Sequence, residues 1–382
     1  MRRAFVVVID ACGAGELPDA ADYGDAGANT LVHLAEAVGG LRLPTLERLG
    51  LGSILPIEGV APAARPAIHG RLGAMGPGKE STTGHWELMG AVPTVRLPTY
   101  PDGFPRDVVD RLEEATGHRF LCNRPYNGIA VIEAFGEEHL RTGALILYTS
   151  QDSVLQIASH TSVLSEAELV AVCTQARELM RGEHAVGRVI ARPFEGEPGA
   201  WRRTEGRKDL SLEPPSRSYL DVLTERGIPV HAVGKIRDLF AGVGIGASHP
   251  GATNAIALAS TTQLIEGMGH GLAFTNLVET DQVYGHRKDV EGFHGALRVI
   301  DATVERWLGV LKDEDLLVLT ADHGCDPASS HTDHTREQVP LLAVAPGVPG
   351  RRHDGALADV GASVHRWLTG EDAQALPGRA FV

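Results

Sequence analysis

Cysteine and positive charge are both scarce in this chain, and each shortage removes a class of protein. Four cysteines stand among 382 residues. They lie far apart, at positions 12, 122, 173 and 325, with no CxxC pair and no secretory context. Neither a disulfide framework nor a thiolate zinc site is therefore expected, and the four read as small buried hydrophobes. Basic residues number 35 against 49 acidic ones, a formal charge of −14 with no basic stripe. Such a chain repels phosphate backbones, so neither nucleic acid nor a membrane is expected as a partner. The apolar run from Ala4 to Ile9 is too short for a signal peptide or a membrane span, which makes the cytoplasm the expected location.

What remains is ordinary globular material with 17 histidines. At roughly 100–200 residues per domain the length suggests about two domains. Short β-branched runs recur at Ala4 to Asp10, Gly143 to Ser150, Gly187 to Ala191, Ile228 to Gly234, Leu272 to Glu279, Asp315 to Asp322 and Val339 to Ala345. Helical patterns lie between several of them, at Ser165 to Met180, Arg217 to Arg226 and Gly292 to Val310. That alternation predicts an α/β fold with a mostly parallel sheet sandwiched by helices. The stretch from 97 to 216, rich in Pro, Gly and Arg and flanked by VRLPTYP and LEPPSR, reads as an inserted smaller α/β domain. Residues 1–96 and 217–382 would then form one discontinuous core. The tail LADVGASVHRWL has the amphipathic period of a surface helix.

In parallel sheets, ligands gather beyond the carboxyl ends of the strands. Three of the runs deliver acids there: Asp10, Asp281 and Asp322, the last followed at once by His323. His286 lies five residues after Asp281, and His334 follows in HTDHTRE. Singly, each has an ordinary explanation: an Asp closing a strand caps a helix, and a loop His is solvated. Jointly, three carboxylates and three imidazoles are enough ligands for two divalent cations, Mn²⁺, Zn²⁺ or Fe²⁺ suiting the mixed set better than Mg²⁺. His331 and Asp333 read as spectators.

The run from Gly78 to Glu87 places Lys79, Ser81, Thr82, Thr83 and His85 together. It reads as a helix start, where a hydroxyl sits in the field of exposed amides that favours both an attacking alkoxide and a bound phosphate. GxxxxGK[ST] is absent, so this is no Walker loop.

GKESTTGHWELMG, VIDACGAGELPDA, TLERLGLG, YTSQDSVLQIASH, VGRVIARPFEGEPG, VGKIRD, TDQVYGHRKD, TADHGCDP and TDHTRE, spread in order over nearly the whole chain, resemble the bacterial phosphopentomutase family. The resemblance implies an alkaline-phosphatase-like core with an inserted cap and two metal ions, usually manganese. Asp10, Asp322 and His323 would surround one ion; Asp281, His286 and His334 would surround the other. It also implies a phosphorylated hydroxyl at Ser81, where the family has a threonine after an aspartate and this chain has Glu80. Thr82 and Thr83 are the alternative nucleophiles, with Lys79 and His85 beside them. Sugar-phosphate contacts would be Ser150, Asp152, Arg192, Arg207 and Lys235. The implied reaction interconverts ribose 1-phosphate and ribose 5-phosphate, and the deoxyribose pair, through a phosphoenzyme and a 1,5-bisphosphate. The partners are a small phosphorylated sugar and a sugar bisphosphate activator, and the setting is nucleoside catabolism. A phosphatase or phosphodiesterase of the same superfamily could use the same residues. So could a mutase for another sugar phosphate, or a cofactor-independent phosphoglycerate mutase, although the latter usually carries GNSEVGH where GKESTTGH stands. A metal-binding structural protein is the non-enzymatic alternative.

Overall fold

The computed structural model describes residues 1–150 and 152–382. They form two compact units, Met1–Val95 with Pro214–Val382, and Arg96–Glu213.

The first unit is built on an eight-stranded sheet. Its strands run in the order Ala247–His249, Val230–Val233, Gly271–Leu277, Arg3–Ile9, Asp315–Thr320, Val339–Val344, Ile68–Gly73 and Gly355–Ala356. The first five are mutually parallel, and only Val339–Val344 opposes the rest. The mostly parallel α/β architecture expected from the alternating pattern is thus present. Arg3–Ile9 and Gly271–Leu277 are buried along their whole length, which is why they read as continuous apolar runs and not as alternating ones. Strand Ile68–Gly73 went unseen in the sequence because His69, Gly70 and Arg71 break any apolar run; backbone pairing to Val339–Val344 makes it a strand.

Register sets what happens at the carboxyl edge. Val8 lies opposite both Asn276 and Thr320, and Ile9 opposite Leu277. The three central strands therefore end level, and the residues after them, Asp10, Asp281 and Asp322 with His323, emerge at one edge. At the opposite edge Arg3 is buried and bonded to both oxygens of Asp315, at 2.7 and 2.6 Å, and to the carbonyls of Ile265 and Met268.

The tail helix, Asp359–Thr369, is a correction to the sequence reading. It is not a surface helix: Val360 to His365 are all buried. A β-carbon on Gly361 would lie 2.4 Å from the Tyr219 ring and 2.9 Å from the Leu88 carbonyl oxygen. Its small residues let it pack closely on Tyr219 and Leu88, which cover the face that its period leaves polar or small.

The second unit holds a six-stranded mixed sheet. In Leu145–Thr149 the period of two sends Leu145 and Leu147 to one face, against helices Arg106–Thr116 and Glu166–Leu179. Ile146 and Tyr148 go to the other face, with Val131 and Ile132 of helix Ala130–Thr142. Helix Glu166–Leu179 starts with a capping box in which Ser165 and Glu168 satisfy each other's backbone amides. The four cysteines are free thiols, three of them buried and Cys122 half-buried. Among the described residues no helix is long and apolar enough to cross a membrane.

Candidate metal centre and nucleophile

Asp10 leaves its strand into a turn whose next residue, Ala11, sits in the left-handed region at φ 63°. Holding a non-glycine residue there costs energy that the surroundings must over-determine. They do so in part through the Ala11 amide, which donates to Asp322 Oδ1 at 3.2 Å. One oxygen of Asp10 accepts from the Asn276 amide at 2.8 Å, and the other lies 3.3 Å from His323 Nε2. Asp281 enters through a turn of π-helix, Thr280–Tyr284, a form of helix that recurs at functional positions. Its Oδ1 lies 3.4 Å from His286 Nε2 and 3.3 Å from His334 Nε2, and those two nitrogens are 3.2 Å apart. The His323 and His334 rings stack with centroids 4.0 Å apart.

Ligand atoms of Asp281, His286 and His334 converge within 4.8 Å of one another, and so do those of Asp10, Asp281 and His323. Asp281 thus belongs to both groups, a sharing absent from the division that the family resemblance implied, which gave it to one ion. Asp322 stands next to the second group, its Oδ2 3.4 Å from His323 Nε2.

The donor set fits divalent cations. His286 Nδ1 faces the Thr332 carbonyl at 2.7 Å, and His323 Nδ1 faces the Gly324 carbonyl at 3.0 Å. Each ring therefore donates from Nδ1 and turns its Nε2 lone pair inward, as metal-binding imidazoles do. Asp281 Oδ1 and Asp322 Oδ2 are buried without a well-directed hydrogen bond, a costly state for carboxylates unless a cation completes it. The field is strongly negative. Burial would lower the pKa of His323, but with no cation bound Asp322 and Asp10 hold it well above the ordinary value, so a proton stands where a metal ion would otherwise take the Nε2 lone pair.

Ser81 opens helix Ser81–Leu88, with Glu80 in extended conformation at the N-cap. Its Oγ lies 2.9 Å from His323 Nε2 and 3.3 Å from Asp10 Oδ1. The helix meets the metal ligands closely because residue 84 is glycine: a β-carbon there would sit 2.5 Å from the Asp322 carbonyl oxygen. Of the three adjacent hydroxyls, that of Ser81 reaches the ligand cluster. Thr83 Oγ1 lies 3.0 Å from both the Glu80 carbonyl and the Glu80 carboxylate, and Thr82 is buried.

His85 is fully buried with both ring nitrogens committed. Nδ1 faces the Ser81 carbonyl at 2.8 Å and Asp322 Oδ2 at 3.0 Å, and Nε2 lies 3.3 Å from the Asn276 amide nitrogen. It orients Asp322 and the first helical turn and does not touch the Ser81 hydroxyl. Asn276, which joins His85 to Asp10, escaped the sequence reading; its signal was a lone amide inside a run buried on both faces.

The remaining expected contacts fall in both units. In the second, the Ser150 hydroxyl accepts from the Asp152 amide at 3.3 Å, and Asp152 lies 3.7 Å from Arg188. Arg192 donates to Gln156 at 3.2 Å, and Arg207 forms a two-bond pair with Asp209 at 2.6 and 2.7 Å. Arg192, Arg203 and Arg207 all act on the buried Tyr148 hydroxyl, opposing the rise in its pKa that burial causes. In the first unit Lys235 donates to Gln282, the residue after Asp281, at 2.8 Å.

A family model described as the metalloenzyme superfamily matches residues 2–370. A protein named phosphopentomutase from Caldanaerobacter subterraneus subsp. tengcongensis is 46% identical over 368 residues, covering 95% of this chain and 93% of its own. Another of that name, from Carboxydothermus hydrogenoformans, is 50% identical over 343 residues, covering 90% and 88%. Among solved structures, the PH0037 protein from Pyrococcus horikoshii superposes with a TM-score of 0.52 at 13% identity, over 97% of this chain and 98% of that one, a likeness of fold alone.

Proposed function

Because the chain belongs to the phosphopentomutase family of the metalloenzyme superfamily, and so is an isomerase of pentose phosphates, we propose that Ser81 is the group through which the phosphoryl passes. The observation that carries this is the position of the Ser81 hydroxyl, 2.9 Å from His323 Nε2 and 3.3 Å from Asp10 Oδ1, at the start of a helix.

In the resting enzyme Ser81 carries a phosphoryl group. The free 5-hydroxyl of ribose 1-phosphate attacks that phosphorus, its proton passing to Ser81 Oγ as the bond from phosphorus to Ser81 Oγ breaks, and ribose 1,5-bisphosphate forms. Ser81 Oγ then attacks the phosphorus at C1, its proton passing to the C1 oxygen as that oxygen leaves, and ribose 5-phosphate is released from a re-phosphorylated Ser81. Deoxyribose phosphates follow the same path, and a sugar bisphosphate serves as activator by charging Ser81. Two divalent ions held by Asp10, Asp281, His286, Asp322, His323 and His334 would neutralise the charge of the phosphoryl oxygens; Mn²⁺ suits this nitrogen and oxygen set best. The exposed amides of the first helical turn face the same anionic oxygens. His85 and Asn276 hold Asp322 and Asp10 in place. Lys79 adds a positive charge two residues ahead of Ser81, and Ser150, Asp152, Arg192, Arg207 and Lys235 are the proposed contacts to the sugar phosphate. Residues 97–216 act as the cap domain, and the cytoplasm is the proposed location.

The test is a single assay read for two products. Ribose 1-phosphate should give ribose 5-phosphate with little inorganic phosphate, and the intact protein should gain about 80 Da at Ser81. Phosphate release matching isomer formation would make the protein a hydrolase. Label on Thr82 or Thr83 would refute the assignment of Ser81.

A further inference from the structure

Ahead of the nucleophile, three stretches of chain meet on one buried carboxylate that the sequence patterns did not single out. Asp25, in the long connection that follows the first strand, has a fully buried side chain. Its Oδ2 accepts from Lys79 Nζ at 3.1 Å and from the Arg336 backbone amide at 2.8 Å. Its Oδ1 lies 2.9 Å from His331 Nε2. The His331 tautomer is set by its other nitrogen, which accepts the Asp333 amide at 3.2 Å, so the proton sits on Nε2 and points at Asp25. Both oxygens of Asp25 are thus used, and its charge is balanced by an ammonium that is itself largely buried.

The same three stretches are joined at neighbouring points. The Arg336 guanidinium holds the Gly78 carbonyl and both oxygens of Asp19, the latter at 3.1 and 3.0 Å. The Tyr23 hydroxyl donates to the Pro77 carbonyl at 2.8 Å. Residues 77–79, which deliver Ser81, are therefore tied to residues 331–336, which deliver His334, and Asp25 supplies the charged centre of that tie.

Resting on the reading of Ser81 as the nucleophile, we propose that Asp25 is a positioning residue for phosphoryl transfer. It fixes the Lys79 ammonium, and through His331 and the Arg336 amide it keeps the nucleophile segment in register with the loop that carries His334. A buried carboxylate that only filled space would be indifferent to Lys79. One that positions Lys79 must act through it. His331, read from the sequence as a spectator, gains the role of fixing one oxygen of this carboxylate.

The test uses the metal-loaded enzyme. Asp25→Asn keeps the shape but turns an N–H either toward both Lys79 and the Arg336 amide or toward His331 Nε2, and should lower kcat about 10- to 100-fold with KM within about threefold, the size expected for a small misplacement of reacting groups. Lys79→Gln should cost a similar factor, and the double variant should be no slower than the slower single one. Losses that multiply, or Asp25→Asn with wild-type kcat per folded molecule and only a lower melting midpoint, would overturn the proposal. If Asp25→Asn does not fold, His331→Ala at the half-exposed partner replaces it. It should lower kcat about three- to tenfold at unchanged KM, and wild-type kcat there would be equally fatal. Ser81 labelling in the unmodified enzyme separates the two readings. A wild type that isomerises without label on Ser81 refutes the nucleophile, whereas a labelled wild type with an unaffected Asp25→Asn refutes only the role of Asp25.

Discussion

The two edges of the central sheet treat buried charge in opposite ways. At the amino edge, Arg3 and Asp315 close on each other, with two more guanidinium hydrogens taken by the Ile265 and Met268 carbonyls. At the carboxyl edge, Asp10, Asp281 and Asp322 crowd three imidazoles, and two carboxylate oxygens are left without a well-directed donor. Both edges bury acids almost completely. A closed pair supports the fold and asks for nothing further, whereas an open cluster holds charge in readiness for something that is not protein.

The largest expected effect lies at the open edge. Ser81→Ala should reduce isomerisation by about four orders of magnitude or more, as loss of a nucleophile does, and should abolish the mass gain while moving the melting midpoint little. Removal of metal with a chelator should likewise stop turnover, with Mn²⁺ restoring it better than Mg²⁺. It should also lower the melting temperature, because saturation at a hundredfold excess over Kd contributes about 2.7 kcal/mol per site. Equal rescue by both ions would count against the imidazole ligands.

The closed edge should answer in stability instead. Arg3→Met leaves Asp315 buried without its partner, a loss of about 3–5 kcal/mol in denaturant unfolding, with kcat per folded molecule unchanged. A fall in kcat to match would dissolve the contrast between the edges. Adding Asp315→Leu should recover most of that loss, since two apolar groups can replace a closed pair. Smaller again is Thr83→Val, which removes the hydroxyl beside Glu80 for about 1 kcal/mol and should leave Ser81 labelling intact.

The smallest effect concerns the second unit, where Asp209 is intermediate between the two kinds of edge. Burial opposes its charge, but Arg207 and then Arg188 hold the carboxyl below its ordinary 3.8. A lowered acid pKa adds stability that is present above the unfolded value and disappears as pH falls through the folded one. Melting between pH 6 and pH 2 should therefore show a shallower acid limb below about pH 4 for Asp209→Asn. An unchanged limb would show that the pair is too solvated to matter.

Much of the sheet was legible because its strands are buried on both faces. Continuous runs such as Ala4 to Ile9 survive in the sequence as strands, and the acids after them stand out against so much Val, Ile and Leu. The strand Ile68–Gly73 was hidden because it is held by its partner's backbone and not by its own side chains. The tail helix kept its period but not its exposure, since burial depends on what lies opposite. Asn276 and Asp25 were missed for a related reason: a single polar residue carries at most a faint signal, and only its partners give it a role.

By itself the sequence determined the chemistry on offer: three carboxylates and three imidazoles beyond strand ends, three hydroxyls beside a lysine, and the family to which such a set belongs. Tertiary structure decided how they combine. It shared Asp281 between two ligand groups, turned Ser81 rather than Thr83 toward His323, and committed His85 to orienting Asp322. The physical reason is reach. Patterning along a chain reports which face a residue takes over a few positions. The distances that define a site join residues up to 311 positions apart, and only strand register and helix packing fix those.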